Sequence, residues 1–272
     1  MTLAKNSYFP IQIPYLLNKD FNRSILYSEE IDSNFEELII CFWKSIPRNE
    51  ATYLSKNVIV PDGCIDLVVD FTNKRIGLSG MSKTNFDFSV KPDESYFGLR
   101  FLPGAVSEFF DIDGSSAMDR FIPISEIDSY FDSETFWKSK NIDDAILFVK
   151  KYIEKKHKKK ILDPAYILLF QSLYKNDTLP TVEQLAKEIA VSTRQLQRIF
   201  LKKYGLTPNK LLSVIRFQQT LHALKSPNGQ TGFRNLENLP YYDQPHMIKS
   251  IKKNIGITPT ELIDLYSDKR VV

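Results

Sequence analysis

The hydrophobic pattern changes period near the middle of the chain. Up to about residue 125, apolar and β-branched residues come in short runs: Leu38 to Trp43, Asn57 to Val60, Ile65 to Phe71 and Tyr96 to Phe101. Turn formers bound them, among them Pro47, Pro61-Asp62-Gly63, Asn73, Gly80 and Pro103-Gly104. Runs punctuated in this way predict the strands of a barrel or sandwich. Ala105 to Phe110 predicts a short helix after the last of these turns. From Asp143 to His157 the period lengthens, and Ile146, Val149, Tyr152 and Ile153 fall on one helical face. The basic run Lys155 to Lys160 then reads as a solvated helix end or linker. Asp163 and Pro164 supply start chemistry for a new helix, followed by Ile167, Leu168, Phe170 and Leu173.

Beyond residue 163 the pattern repeats. Leu196 to Pro208 reads LQRIFLKKYGLTP and Met247 to Pro259 reads MIKSIKKNIGITP, a constant offset of 51 residues. In both copies a glycine, Gly205 or Gly256, can close a helix in the left-handed conformation. In both, Thr-Pro then opens the next helix: Thr207-Pro208 and Thr258-Pro259. Glu261 lies three residues after Thr258 and completes a capping box. Upstream of the first copy, Thr181 with Gln184 and Ser192 with Gln195 form two more boxes. They predict helices Val182 to Ala190 and Thr193 to about Tyr204, joined by a very short turn at Val191-Ser192. Val182, Leu185, Ile189, Leu196, Ile199 and Phe200 form their shared core. This is a helix-turn-helix pattern, whose second helix enters the major groove of DNA.

The outward face of that second helix carries Arg194, Gln195, Gln197 and Arg198, with Lys202 farther along. Arginine pairs bidentately with guanine and glutamine with adenine, whereas lysine suits phosphates. Charge supports a polyanion partner. Residues 158–272 hold 18 Lys and Arg against 9 Asp and Glu, net +9, whereas residues 1–157 hold 18 against 24, net −6. A basic half joined to an acidic half suggests a nucleic-acid-binding module fused to another function.

At this point the sequence resembles the AraC/XylS family of bacterial transcription regulators over roughly residues 163–265. The segments that carry the resemblance are VSTRQLQRIFLKKYGLTP, the stretch IRFQQTLHAL, and YYDQPHMIKSIKKNIGITPTEL. The resemblance implies two helix-turn-helix units joined by a long helix and set to enter successive major grooves. It places Arg194, Gln197 and Arg198 on the base-contacting face of the first unit, and Gln244, His246 and Lys249 on that of the second. Lys252 joins the second set as a DNA contact. The chain departs from the family pattern in the first helix of the second unit. Leu236 and Pro240 stand where a small residue and a glycine are usual, and Pro240 removes a helix hydrogen bond. Pro245 lies in the first turn after the expected cap Asp243, and breakers fill the loop Ser226 to Gly232. The first unit is therefore expected to dominate sequence discrimination.

The N-terminal half resembles a β-rich domain found ahead of this module in some family members, through VIVPDGCIDLVVDF and YFGLRFLPGA. That implies a sensory or dimerisation role. Trp43, Asp66, Phe97 and Arg100 are the candidate ligand-binding set, with a filled core as the equal alternative. The fold class expected is α+β. A β-rich barrel-like or sandwich domain (1–125) leads through a helical linker (126–162) to an all-α double helix-turn-helix domain (163–272).

Asp62, Cys64, Asp66 and Asp70 cluster in sequence and invite an enzyme reading. The three histidines, His157, His222 and His246, lie far downstream, and there is no phosphate-binding glycine loop. No enzyme activity, cofactor or metal is expected. Cys41 and Cys64 are the two cysteines, too few for a disulfide framework. No run approaches the length of a membrane span, and the N-terminus does not read as a signal peptide. The expectation is a cytoplasmic, nucleoid-associated bacterial protein. Its expected partners are double-stranded DNA, a small-molecule effector, RNA polymerase and a second copy of the chain. The competing expectation, motivated by Pro240, is an effector-binding or protein-interaction module whose DNA-binding half has decayed.

Overall fold

The computed structural model describes residues 8–11, 24–48, 55–81, 86–91, 93–159, 163–176, 178–224 and 244–267. The N-terminal part is an antiparallel sheet domain. Its strands are β1 (Ile25–Glu30), β2 (Ile39–Pro47), β3 (Ser55–Ile59), β4 (Asp66–Asp70), β5 (Arg75–Ser79), β6 (Phe86–Val90), β7 (Tyr96–Phe101) and β8 (Phe121–Pro123). Six strands form one sheet in the order β1-β2-β7-β4-β5-β8, and β3 pairs with β6 in a second. The strands expected from the apolar runs are all present. β1, β5, β6 and β8 are additional.

Side chains alternate across a strand, so the register sorts the large sheet into two faces. Phe42 and Leu67 both flank Leu99, and Leu67 also faces Leu78. This apolar face is fully buried. It meets α1 (Ala105–Phe110) and α4 (Ile142–Lys159). Phe101 lies with its ring centroid 5.9 Å from Phe109 and 5.8 Å from Phe110. Ala145, Val149 and Ile153, each one helical turn apart, are the buried seam of α4. A 3₁₀ turn (Gly114–Ala117) and the short helices α2 (Ile124–Ile127) and α3 (Ser133–Phe136) lie between.

The helical part comprises α5 (Ala165–Lys175), α6 (Val182–Glu188), α7 (Thr193–Tyr204), α8 (Pro208–Leu224), α9 (Gln244–Ile255) and α10 (Pro259–Ser267). Local chemistry sets these boundaries. Both capping boxes, Thr181 with Gln184 and Ser192 with Gln195, form with reciprocal hydrogen bonds. Thr258 and Glu261 make the same exchange at the start of α10. Gly205 and Gly256 adopt the left-handed conformation at φ 71° and 95°. The α6–α7 turn is longer than expected: α6 stops at Glu188, so Ile189 to Ser192 connect the two helices, and Ala190 takes φ 56°. Ala190 N–H then reaches Lys187 O, and Val191 N–H reaches Ala186 O. That double bond pattern is a Schellman-type exit, here closed by alanine where glycine is usual. Leu236, Pro240, Asp243 and the loop Ser226 to Gly232 lie outside the described residues.

One hydrophobic core runs from the apolar sheet face through α1 and α4 into α5, α6, α7 and the first half of α8. A second, smaller cluster joins the far half of α8 to α9 and α10, with Ile11 and Val60 added from the N-terminal part. Among the described residues no helix is long and apolar enough to cross a membrane.

Candidate nucleic-acid interface and the buried charge cluster

In α7 the period of burial decides which residues are free. Leu196, Phe200 and Tyr204 are buried, whereas Arg194, Gln195, Gln197, Arg198 and Lys202 are exposed. The sequence-predicted set of the first unit thus shares one solvent-facing surface. Gln195 differs from the rest, because its Oε1 accepts from Ser192 N–H at 2.8 Å and so serves the cap. In α9, Met247, Ile251 and Ile255 are buried, and Gln244, His246, Lys249 and Lys252 are exposed. Pro245 sits in the first turn of α9, where its missing N–H breaks no helix bond. Sequence reasoning missed Lys210 on α8. Burial and then Lys253 of α9 hold its ammonium below the ordinary lysine range, so a cation of the joining helix lies near one of the second unit. No local pattern marks Lys210: at the offset of 51 the repeat aligns it with Glu261.

α7 is also held from the N-terminal side. The Lys203 carbonyl lies 2.9 Å from Ser107 Oγ of α1, and the Lys203 ammonium pairs with Glu108. The backbones of Gly114 and Gly205 touch: a methyl group on Gly114 would stand 2.7 Å from Gly205 N. Farther along, Gln218 of α8 is fully buried. Its Nε2 donates to Pro61 O at 3.0 Å, and its Oε1 accepts from Ile11 N–H at 2.9 Å. The Pro61-Asp62-Gly63 turn therefore seats directly on α8.

The same turn borders the polar face of the large sheet. Arg100, only 1% exposed, lies among three carboxylates. Its Nη1 is 3.1 Å from Glu29, and its Nε is 3.5 Å from Asp66 and 3.7 Å from Asp62. Burial opposes its charge, but Asp66, Tyr27, Cys41 and Asp62 more than offset that and hold the guanidinium ionised. Burial pushes Asp66 up to about 7, against the pull of Arg100 and of the Trp43 indole N–H at 2.8 Å. The Trp43 ring lies over Gly98, where a Cβ would come within 2.6 Å of it. Trp43, Asp66 and Arg100 are thus brought together. Phe97 is not: it stands three residues from Arg100 on β7 and projects to the opposite, apolar face. Glu29 and Asp62 take its place. Burial pushes the thiols of Cys41 and Cys64 well up, which suits packed thiols and not nucleophiles. Among the described residues no group could hold a metal ion.

Residues 185–264 match the family model described as a helix-turn-helix domain. The C-terminal part of the chain thus carries an AraC-type helix-turn-helix domain. The AraC-type domain follows an N-terminal segment, residues 32–123, that matches a domain of unknown function (DUF6597). No curated protein matches the chain. Among solved structures, an apo variant of ToxT from Vibrio cholerae is 12% identical, with 80% of this chain and 100% of that one covered, at a TM-score of 0.39. A second ToxT structure is 12% identical, covering 79% and 99%, at 0.38. A form of ToxT bound to an unsaturated fatty acid is 12% identical, covering 80% and 97%, at 0.35.

Proposed function

We propose that this chain is an AraC-type regulator that binds DNA sequence-specifically and that its N-terminal domain sets how well it does so. The observation that carries the proposal is the exposed Arg194, Gln197 and Arg198 face on a helix whose other side is locked into a continuous core. Arginine and glutamine on a rigid helix can form bidentate base contacts, each good pair giving roughly 1–3 kcal/mol of discrimination. Lys202 and Lys252 suit phosphates, and Gln244, His246 and Lys249 are the corresponding readers on α9. The Lys210–Lys253 proximity favours a polyanion, because phosphate contact relieves repulsion between like charges. An effector acting on the Trp43, Asp66 and Arg100 face would reach α8 through the Pro61-Asp62-Gly63 turn.

A mobility-shift assay on the full chain, with duplexes selected from a randomised pool, tests this reading. Binding should weaken steeply as salt rises. Arg198→Ala should lose roughly 1–3 kcal/mol on the selected sequence and relax one base position. Equal binding of every sequence by both proteins would refute sequence readout by α7.

A further inference from the structure

The segment of the N-terminal domain that touches α7 brings a carboxylate with it. Asp113 caps the 3₁₀ turn, its Oδ1 accepting from Ser115 N–H at 3.0 Å and from Ser115 Oγ at 2.7 Å. The turn is seated on α7: Gly114 is in backbone contact with Gly205, and Ser107 and Glu108 hold Lys203. Asp113 is itself exposed. It forms one wall of a groove of about 490 Å³ whose other walls include Val191, Gln195, Arg198, Ile199 and Lys202 of the helix-turn-helix. A negative charge is therefore fixed beside the cations that meet DNA.

We propose that Asp113 is an affinity-limiting residue for DNA, carried by the N-terminal domain but acting at the first reading helix. Phosphates that approach Arg198 and Lys202 also approach the Asp113 carboxylate, and like charges within a Debye length repel. The position of the 3₁₀ turn thus sets part of the DNA affinity, and any shift of that turn away from α7 raises it. This inference rests on the DNA-binding reading above.

Asp113→Asn removes the charge and keeps an oxygen that can cap the turn. Asp144→Asn removes one charge from an exposed site in the first turn of α4, away from the groove, and serves as control. The full-length wild type and both variants are titrated against a random-sequence 30-base-pair duplex over a salt series. Asp113→Asn should bind roughly three- to ten-fold more tightly at low salt, with the gap closing as salt rises, and Asp144→Asn should match wild type. Equal binding by wild type and Asp113→Asn, or an equal gain in both variants, overturns this inference alone. Absence of any wild-type complex overturns the DNA-binding reading and this inference with it.

Discussion

Leu196 and Phe200 in α7 and Met247 and Ile251 in α9 hold matching places in the repeat, yet they are buried in different company. The first pair joins the large core that includes the apolar sheet face, α1 and α4. The second pair joins the small cluster around Phe217, Leu221 and Leu224 of α8. Two copies of one sequence pattern thus give two mechanical situations. α7 shares its core with the N-terminal domain, and α9 packs on the far half of α8. On the proposed function, a signal that arose in the sheet domain would have a direct route to the first unit through this shared core.

The strongest way to break this comparison is to empty the two cores in turn. Phe200→Ala should cost roughly 3–5 kcal/mol, and Ile251→Ala roughly 2–5 kcal/mol locally. Both tryptophans, Trp43 and Trp137, lie in the N-terminal part, so their fluorescence reports that domain while circular dichroism reports helix. In urea, Phe200→Ala should lower the fluorescence midpoint as if the change were in the sheet domain. Ile251→Ala should bring helix loss earlier and leave the fluorescence midpoint near wild type. A fluorescence midpoint unmoved by Phe200→Ala would show that the two parts do not share a core.

A second test uses the buried charge cluster. Burial raises Asp66 to about 7, against a value near 3.9 in an unfolded chain. The folded state therefore keeps its proton where the unfolded state has lost it. Stability from this group is fully present below about pH 4 and is lost as pH rises through about 7. Asp66→Asn removes the titration. The stability of wild type relative to this variant should fall by on the order of 2–3 kcal/mol between pH 5 and pH 8. The change should appear in the fluorescence transition, because Asp66 belongs to the domain that carries the first unit. A difference that stays constant with pH would place an ionised Asp66 in the fold at both ends of the range.

The contrast between what was and was not legible in the sequence has the same physical root. The helix-turn-helix elements follow from contacts within a few residues: Ser192 with Gln195, Thr181 with Gln184, and a glycine that alone tolerates φ 71° at low cost. Their exposed faces follow from a 3.6-residue period. The sheet was less legible, because β1 and β8 are edge strands with no continuous apolar run to mark them. Phe97 looked like a neighbour of Arg100 until a period of two was applied within β7. The Glu29 and Asp62 partners of Arg100 come from 71 and 38 residues away, and no local pattern announces such pairs. The seat of α1 on α7 is equally non-local: Ser107 and Lys203 are 96 residues apart and carry no shared motif.

The smallest effect compares the two caps. Ser192 accepts from Gln195 N–H at 3.2 Å, and Thr258 accepts from Glu261 N–H at 3.3 Å, so each frees the start of a helix from an unsatisfied donor. Replacing either by alanine should cost about 1 kcal/mol. The costs are nearly equal, but the readouts should differ. Ser192→Ala should move fluorescence and helix signal together, because α7 unfolds with the sheet domain. Thr258→Ala should move the helix signal alone. If Ser192→Ala leaves the tryptophans unaffected, the coupling between α7 and the N-terminal domain is weaker than their shared core requires. If Thr258→Ala moves them as far as Ser192→Ala does, Ile11 and Val60 bind the second unit to the sheet domain as firmly as α1 binds the first.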